Sequence, residues 1–206
     1  MARINVNPNR MELSRLKKRA AVAKRGHKLL KDKQDALIKA FLERAKEGKA
    51  LRERVEAELK ECFSTFVLSR AQTTPEVLEQ ALMFPGAKCR LSVTWKNVMS
   101  VLVPEYDVKQ EGSPVNYGFA LVPPLLDVAL SQFSGIILRL LDLAAKEKAI
   151  RLMAVEIERT RRRVNALEYV MIPNLAETIR YISMKLDEQE RSTLSRLMKI
   201  KEIVRK

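Results

Sequence analysis

The sequence predicts a mainly α protein: a long antiparallel two-helix coiled coil with a small central insert that contains a short helix and a β-hairpin. Apolar residues recur every three or four positions towards both ends of the 206-residue chain, as they do on the packed face of a helix. Six of the eight prolines fall between residues 71 and 124 and separate the two helical stretches. Aromatic residues make up only 5% of the chain, and glycines number six. This composition favours long helices over a β-rich core.

The N-terminal helix is expected to run from about Asn7 to Arg70. Asn7 can accept a bond from a free backbone N–H, and Pro8 suits the first helical position. The seam, which is the apolar stripe that packs against the partner helix, is predicted to include Leu13, Leu16, Leu30, Leu37 and Phe41. The strict spacing fails at Arg44 and Gly48 and then resumes.

The insert is expected to open with a short helix from Thr74-Pro75-Glu76 to about Phe84. Threonine is a good cap, proline suits the first helical position, and an acid in the first turn complements the helix dipole.

Alternation of apolar and polar residues on both sides of Lys96-Asn97 predicts a β-hairpin with its turn there. Pro104 is expected to end the second strand, and Trp95 is expected in the core of the hairpin. The apolar members are Leu91, Val93, Trp95, Met99, Val101 and Val103.

A C-terminal helix is expected from about Pro124, with one register shift near Glu147 and a bend at Pro173. Its seam is predicted to include Ile157, Val164, Leu167 and Met171. The domain plan is therefore an N-terminal helix over 1–70, an insert over 71–123 and a C-terminal helix over 124–206. Because each long helix buries one stripe, the two should fold back as an antiparallel pair in one elongated, rod-like domain.

The net charge of +14 is unevenly distributed. Residues 1–70 carry +10, residues 71–120 carry −1, and residues 121–206 carry +5. One basic cluster lies near the N-terminus and includes Arg10, Lys17 and Lys18; the other comprises Arg159, Arg161, Arg162 and Arg163. A surplus of this size implies acidic partners. The arginines favour planar, bidentate contacts with carboxylates or phosphates, although single exposed charges usually form a solvated helix face.

The sequence predicts no active site, no cofactor and no metal site. The single histidine, His27, stands at a seam position, where a hydrogen-bonded imidazole that specifies register is the favoured interpretation. Cys62 and Cys89 give neither a metal-ligand spacing nor a disulfide framework, which favours a reducing compartment. No signal peptide and no uncharged run of membrane-spanning length is found, so a cytoplasmic location is expected.

Two other classes of function stay open on the residues alone. A basic coiled coil could bind nucleic acid or an anionic membrane by charge, although no aromatic residues interleave with the basic runs to stack on bases. An enzyme is the least favoured class, because no convergent set of reactive groups exists.

Four segments resemble the D subunits of the V-type and A-type rotary ATPases. They are NVNPNRMELSRLKKR (5–19), RGHKLLKDKQDALIK (25–39), NVMSVLVP (97–104) and EIERTRRRVNALEYVMIPNLAETIRYI (156–182). Together they cover both ends and the middle of the chain. The family usually has threonine where Asn9 stands, and the tail after Arg196 is short and poorly matched.

The resemblance implies a non-catalytic central-stalk rotor. Its two terminal ends would enter the cavity of the catalytic hexamer of A and B subunits, the F subunit would bind the shaft, and the insert would sit on the C subunit, called d in eukaryotes, above the membrane ring. The arginines at 159 and 161–163, with Arg10, Lys17 and Lys18, would face the hexamer or the F subunit. The hairpin would stimulate ATP hydrolysis. Neither nucleic-acid binding nor membrane insertion is expected, and the chain would be peripheral to the membrane.

Overall fold

The computed structural model describes residues 4–118 and 122–205. Two long helical stretches flank a small insert, which confirms the predicted fold class. In chain order the elements are α1 (Arg10–Ala71), α2 (Pro75–Leu82), β1 (Lys88–Val98), β2 (Val101–Glu111), α3 (Pro124–Asn165), a π-helix (Ala166–Met171) and α4 (Ile172–Val204).

The chain divides into two compact units. The terminal unit consists of Met1–Ala36 with Ile157–Lys206, and the central unit is Leu37–Glu156. Both boundaries fall inside long helices and not at the ends of the insert. Each unit therefore contains part of α1 and part of the C-terminal helical stretch.

In the terminal unit, α1 packs antiparallel to α4. Leu16, Ala23, Leu175 and Ile182 form its buried core. Arg10 pairs with Glu190, whereas residues farther along α1 meet residues earlier in the C-terminal half. The segment before α1 also contacts α4, because the Ile4 N–H donates to the Thr178 hydroxyl at 3.2 Å.

Helix α1 begins three residues later than predicted, and the capping residue is Asn9 instead of Asn7. The Met11 N–H donates to Asn9 Oδ1 at 3.4 Å, and the Leu13 N–H donates to the Asn9 carbonyl at 2.9 Å. Asparagine caps helices by accepting such bonds.

In the central unit, α1 packs antiparallel to α3. Arg52 contacts Glu147 at 3.4 Å, and Arg139 pairs with Glu58. Nearer the insert, the rings of Phe63 and Phe66 meet the ring of Phe133 edge-on, with centroids 5.5 and 6.1 Å apart.

The break in the α1 seam has a structural cause. Up to Leu37 the buried positions follow a seven-residue spacing, and the next buried position in that stretch is Gly48, eleven residues on. A Cβ at Gly48 would lie 2.9 Å from Ile150 Cδ1, so α1 and α3 approach closely there. The Arg44 guanidinium is accommodated at the skipped position, 3.9 Å from the sulfur of buried Met153. Beyond this step the seven-residue spacing resumes at Val55, Cys62 and Ser69.

Helix α2 begins at Pro75, as predicted, and ends at Leu82, two residues before the expected end. The Leu78 N–H donates to the Thr74 carbonyl at 3.2 Å, but the Thr74 side chain makes no capping bond.

The hairpin is longer than predicted, and its turn is elsewhere. Val98 pairs with Val101, so the turn residues are Met99 and Ser100, not Lys96-Asn97. Both turn residues have positive φ, 53° and 70°, as a type I′ turn requires. Asn97 supports the turn by accepting a 2.9 Å bond from the Ser100 N–H.

Pro104 does not end β2 but pairs with Trp95 inside the sheet. Hydrogen-bonded and non-hydrogen-bonded pairs alternate in an antiparallel ladder. Counting from the Val98 and Val101 pair that closes the two-residue turn, Pro104 occupies a non-hydrogen-bonded position. Its missing N–H therefore removes no bond from the ladder.

Two glycines close the base of the hairpin. Gly112 has a φ of 93°, and a Cβ at this position would clash with the Gly86 carbonyl oxygen. The loop beyond them is anchored to α3 by Tyr117, whose hydroxyl donates to Asp127. Burial and this bond both raise the pKa of Tyr117.

A π-helix occupies the six residues before Ile172 and Pro173. Proline has no N–H for the bond to the carbonyl four residues earlier, and its ring crowds that carbonyl. The wider turn shifts the buried face by one position: Met171, a predicted seam residue, is 41% exposed, whereas Ile172 packs against the terminal core.

Among the described residues, one helical stretch, Pro124–Val204, contains a segment long and apolar enough to cross a membrane. The same stretch buries Leu126 and Ala129 and carries Arg139, which pairs with α1. Core helices meet the same criterion of length and composition, so this finding is weak evidence for a span.

Candidate partner-binding surfaces

Almost all of the net charge belongs to the terminal unit. Its residues include 23 basic and 10 acidic side chains, a net charge of +13, whereas the central unit has 16 and 15, a net charge of +1. A field of this sign and size attracts acidic surfaces. The uneven charge noted along the sequence thus becomes a property of one structural unit.

The arginine run lies on the exposed side of α3 near its end. Thr160 and Val164 are buried, at 1% and 5% exposure, and the arginines around them are exposed. Arg162 pairs with Glu158 on its own helix. Within the described part of the chain, the other three arginines, Arg159, Arg161 and Arg163, have no acidic oxygen within 4 Å.

The other predicted contact residues are also exposed. Arg10 pairs with Glu190, while Lys17 and Lys18 form no ion pair with any described residue. The structure thus places all seven predicted contact residues on the surface of the terminal unit.

The predicted seam residues occupy a range of environments. Leu16, Leu37 and Val164 are buried, and Met171 is exposed. The half-buried members are Leu13, Leu30, Phe41, Ile157 and Leu167. The buried polar residues Ser69, Thr160 and Thr178 were not predicted from the sequence. A signal existed for Thr160, which lies seven residues after buried Met153 and four before Val164.

The last turns of α4 expose apolar side chains. Arg10, at the start of α1, pairs with Glu190, and α4 continues for fourteen residues beyond it. The exposed apolar residues there are Leu194, Leu197, Met198, Ile200, Ile203 and Val204. A run of this kind on a helix marks a protein contact site more often than a free surface.

A second group of exposed apolar residues lies in the central unit around the end of α1 and the end of α2. Its members are Phe63, Val67, Leu68, Leu82, Met83 and Phe84, each at least 42% exposed. Sequence reasoning did not single out this group. The two adjacent bulky apolar residues after the short helix, Met83 and Phe84, were the sequence signal that could have indicated this exposed group.

The hairpin is unevenly covered. Val101 and Val103 of β2 are buried, at 7% and 5% exposure. On β1, Leu91, Val93 and Trp95 are 47%, 45% and 60% exposed. Met99 in the turn is also exposed, at 44%. The expectation that Trp95 lies in a hairpin core is therefore wrong, because nothing in the described chain covers the outer strand.

Groups able to hold a metal are absent from the described residues: no three His, Cys, Asp or Glu side chains converge. His27 lies 3.3 Å from a single carboxylate, that of Glu168. Cys62 is buried and donates to the Ala129 carbonyl at 3.6 Å. His27 and Cys62 thus each contact the C-terminal helical stretch within their own unit.

The sequence profile of ATP synthase D subunits matches residues 12–202. This chain belongs to the family of ATP synthase D subunits. The chain is 55% identical to the V-type ATP synthase D subunit of Thermoanaerobacter sp. (strain X514), over 100% of both proteins. It is 52% identical to the V-type ATP synthase D subunit of Clostridium novyi (strain NT), over 100% of this chain and 98% of that protein.

A third relative, the V-type ATP synthase D subunit of Clostridium botulinum (strain Langeland), is 52% identical over 98% of this chain and 96% of that protein. The match to the family of D subunits thus spans both units. It includes the arginine run, the hairpin and most of the exposed end of α4. The surfaces described above are therefore parts of a chain that resembles these D subunits throughout, and not of an added domain.

Proposed function

We propose that this chain is the non-catalytic central-stalk rotor subunit of a V/A-type ATPase. It transmits torque between the catalytic hexamer of A and B subunits and the membrane ring that moves protons or sodium ions. Hydrolysis of ATP would drive transport, and ion flow in reverse would drive ATP synthesis. The observation that carries this proposal is membership of the family of D subunits over residues 12–202.

The charge of the terminal unit supports a contact with the hexamer. A shaft that turns inside a ring must not be trapped in one pose. Solvated charges act over about 8–10 Å at ordinary ionic strength and tolerate many relative positions. The net charge of +13, with three arginines on α3 that pair with no described carboxylate, suits this kind of contact better than it suits a deep apolar interface.

The exposed apolar end of α4 supports entry of the terminal helices into the hexamer cavity. Leu194, Leu197 and Met198 have no covering residues among those described. A ring of subunits around this helix end would remove them from water. Burial of about 100 Å² of apolar surface is favourable by about 2.5 kcal/mol.

The remaining partners are assigned to other surfaces. The F subunit would bind the shaft, and the arginines at 159 and 161–163 would face either the hexamer or the F subunit. The C subunit, called d in eukaryotes, would take the exposed apolar group around Phe84 in the central unit. The chain itself would stay in the cytoplasm, peripheral to the membrane.

A reversible cross-link tests the rotor role. Ser195, an exposed residue of α4, is changed to cysteine in a Cys89→Ser background and oxidised to a cysteine on one of the B subunits. ATP hydrolysis by the reconstituted complex should stop and should return after reduction. A cross-link between the chain and the F subunit, which would turn with it, should leave hydrolysis intact. Undiminished hydrolysis with the cross-link to the hexamer in place would exclude rotation of this chain against the hexamer.

The role of the arginines is tested by a matched pair of triple variants. Arg159, Arg161 and Arg163 are changed to alanine, and the control changes three exposed basic residues of the central unit, Lys46, Arg54 and Lys60. Both variants lose three positive charges. The first should weaken association with the A, B and F subunits and reduce its dependence on salt, whereas the control should not. If both variants weaken association equally, the loss of net charge, and not the position of the three arginines, would explain the effect.

The charge also supports a second candidate, a module that binds duplex nucleic acid or an anionic membrane. This candidate predicts steeply salt-dependent binding to DNA or to vesicles rich in phosphatidylserine. The rotor proposal predicts that such binding disappears near physiological salt, while the complex with the A, B and F subunits persists.

A further inference from the structure

The two strands of the hairpin have different outer edges. In β1 all residues from Lys88 to Asn97 are exposed, whereas β2 contains buried and half-buried residues. Strand β2 lies next to α3, where the Gln110 amide donates to the Ser134 hydroxyl. Strand β1 is therefore the outer strand of the sheet.

The ladder register identifies the backbone groups at each edge. Residues that face β2 through hydrogen bonds alternate with residues whose N–H and C=O point away. Counting from the Val98 and Val101 pair, the outward groups of β1 belong to Leu91, Val93 and Trp95, with Cys89 and Asn97 at the ends. On β2 the corresponding series includes Pro104, which has no N–H.

The two edges are protected against strand addition in different ways. Native sheets block their free edges with proline, charged side chains, inward charges or covering segments. Strand β2 has Pro104 and a neighbouring helix. Strand β1 is eleven residues long and has neither proline nor cover among the described residues. Its protection consists of basic side chains, which repel a basic strand but not an acidic one. Three of its five outward-bonding residues, Leu91, Val93 and Trp95, are apolar and exposed.

The charge of β1 indicates the occupant. Lys88, Arg90 and Lys96 are basic, and the strand has no acidic residue. Arg90 and Lys96 pair with exposed carboxylates of β2, those of Glu111 at 4.0 Å and Glu105 at 3.0 Å. Exposed pairs of this kind are weak, so these bases can also contact the carboxylates of an added strand.

The basic residues of β1 alternate with the apolar series, so the strand presents bases on one face and Leu91, Val93 and Trp95 on the other. A strand that alternates acidic and apolar residues would complement both faces at once.

The same charges argue against a second copy of this chain in the register that pairs Leu91, Val93 and Trp95 of both copies. An antiparallel pair of β1 strands centred on Val93 would set Arg90 of each copy opposite Lys96 of the other. Like charges directly opposite each other destabilise a sheet.

We propose that the outer edge of β1 is a docking site for an acidic, extended segment of a partner protein, which adds to the hairpin as a third strand. Its backbone bonds to Leu91, Val93 and Trp95. Its carboxylates lie beside Lys88, Arg90 and Lys96, and its apolar side chains extend the face that Trp95 begins. Strand addition of this kind gives affinity through the main chain and specificity through alternate side chains.

The test uses the full chain and a ten-residue peptide that alternates glutamate with valine and threonine, at about 1 mM so that weak binding is detected. Amide hydrogen exchange is read at single residues. The outward amides of Leu91, Val93 and Trp95 should exchange about tenfold more slowly with the peptide. The amides of Ser92 and Thr94 face β2 and serve as internal controls, and Trp95, the only tryptophan, gives an independent fluorescence signal.

A control peptide with lysine in place of glutamate should give no protection. Equal protection by both peptides would overturn the claim that the partner segment is acidic. No protection by either peptide would overturn the claim that the edge of β1 is a docking site. Protection that rises with chain concentration in the absence of peptide would identify a second copy as the occupant and also overturn the proposal.

Two variants at one position separate strand addition from contact with the apolar face. Val93→Pro removes an outward N–H and leaves the bonds to β2, as Pro104 does on the other strand. Val93→Ala keeps the N–H and removes most of the side chain. Peptide protection should be lost in the first and retained in the second, with Thr94 exchange confirming that the hairpin is intact. Equal loss in both would show that the peptide binds the face and not the edge.

Discussion

His27 Nε2 of α1 lies 3.3 Å from Glu168 Oε2 of the π-helix. The imidazole is mostly buried, with 20% of its side chain exposed, while the carboxylate is 45% exposed. This contact joins the two helical stretches of the terminal unit at the place where the C-terminal stretch departs from α-helical geometry. It gives structural support to the interpretation of His27 as a residue that specifies register.

A double-mutant cycle measures this contact. His27→Ala and Glu168→Ala should each destabilise the chain, and together they should cost less than the sum of the two. The expected coupling is about 0.5–1 kcal/mol, because the pair is partly exposed. Urea unfolding at constant pH and salt provides the free energies. A coupling of zero would mean that the contact does not hold the helices in register.

The helical seam should be sensitive to a charge at a buried position and insensitive to one at an exposed position. Leu16 is 4% exposed, and Val22 on the same helix is 60% exposed. Leu16→Asp should cost about 3–5 kcal/mol, since it places an unpaired carboxylate in an apolar core. Val22→Asp should change stability by less than about 0.5 kcal/mol.

Thermal unfolding followed by circular dichroism compares the two aspartate variants. Ile157, which is half-buried, should give an intermediate loss when it is changed to aspartate. If Leu16→Asp and Val22→Asp unfold at the same temperature as the unchanged chain, the seam assignment is wrong.

The helical part of the fold could be predicted because its signal is local and repeated. Spacings of three and four define a buried stripe wherever a helix packs on one side. The helix ends were less certain. The signal at Asn7-Pro8 placed the start of α1 three residues too early, and the bonds from the Met11 and Leu13 N–H groups to Asn9 identify the cap.

The hairpin turn could not be placed from the sequence because its residues lack the usual signal. Type I′ turns favour Asn-Gly or Asp-Gly, whose residues adopt positive φ easily. Here Met99 and Ser100 adopt it, and the alternation around Lys96-Asn97 predicted a turn three residues too early. Long cross-strand pairing and the Asn97 side chain hold the turn against its local preference.

The solvent exposure of Trp95 also could not be predicted from the sequence. Alternation shows that Leu91, Val93 and Trp95 share a face but not whether that face is covered. Its exposure depends on which strand lies next to α3. The π-helix is a similar case. Pro173 indicates a disturbed hydrogen-bond pattern in the helix, but tertiary packing determines that Ile172, and not Met171, lies on the packed face.

Two glycines should respond in opposite directions to alanine. Gly112→Ala should destabilise the chain by about 2–3 kcal/mol, because φ is 93° and the new Cβ would meet the Gly86 carbonyl. Gly26 lies inside α1, and apart from the adjacent residues and the local helix backbone no described atom lies within 4 Å of the place that an alanine Cβ would occupy. Gly26→Ala should therefore stabilise the chain by about 0.5–1 kcal/mol. Urea midpoints measure both, and a stabilising Gly112→Ala would contradict the backbone assignment.

The two thiols should differ in reactivity and in their effect on stability at alkaline pH. Burial raises the pKa of the Cys62 thiol, and its S–H donates to the Ala129 carbonyl. Cys89 is exposed. Because the thiolate is the reactive form, a disulfide reagent should modify Cys89 quickly and Cys62 only after unfolding.

The raised pKa of Cys62 also fixes the sign of a pH effect. Above the ordinary thiol pKa of about 8.5, the unfolded chain releases the Cys62 proton while the folded chain retains it. The stabilising contribution of Cys62 is therefore complete below about pH 8 and declines as the pH rises towards 10. Two chains are compared in a Cys89→Ser background, one that retains Cys62 and one with Cys62→Ala. The difference between their free energies of unfolding should shrink over this pH interval. A difference that stays constant would mean that Cys62 titrates alike in both states.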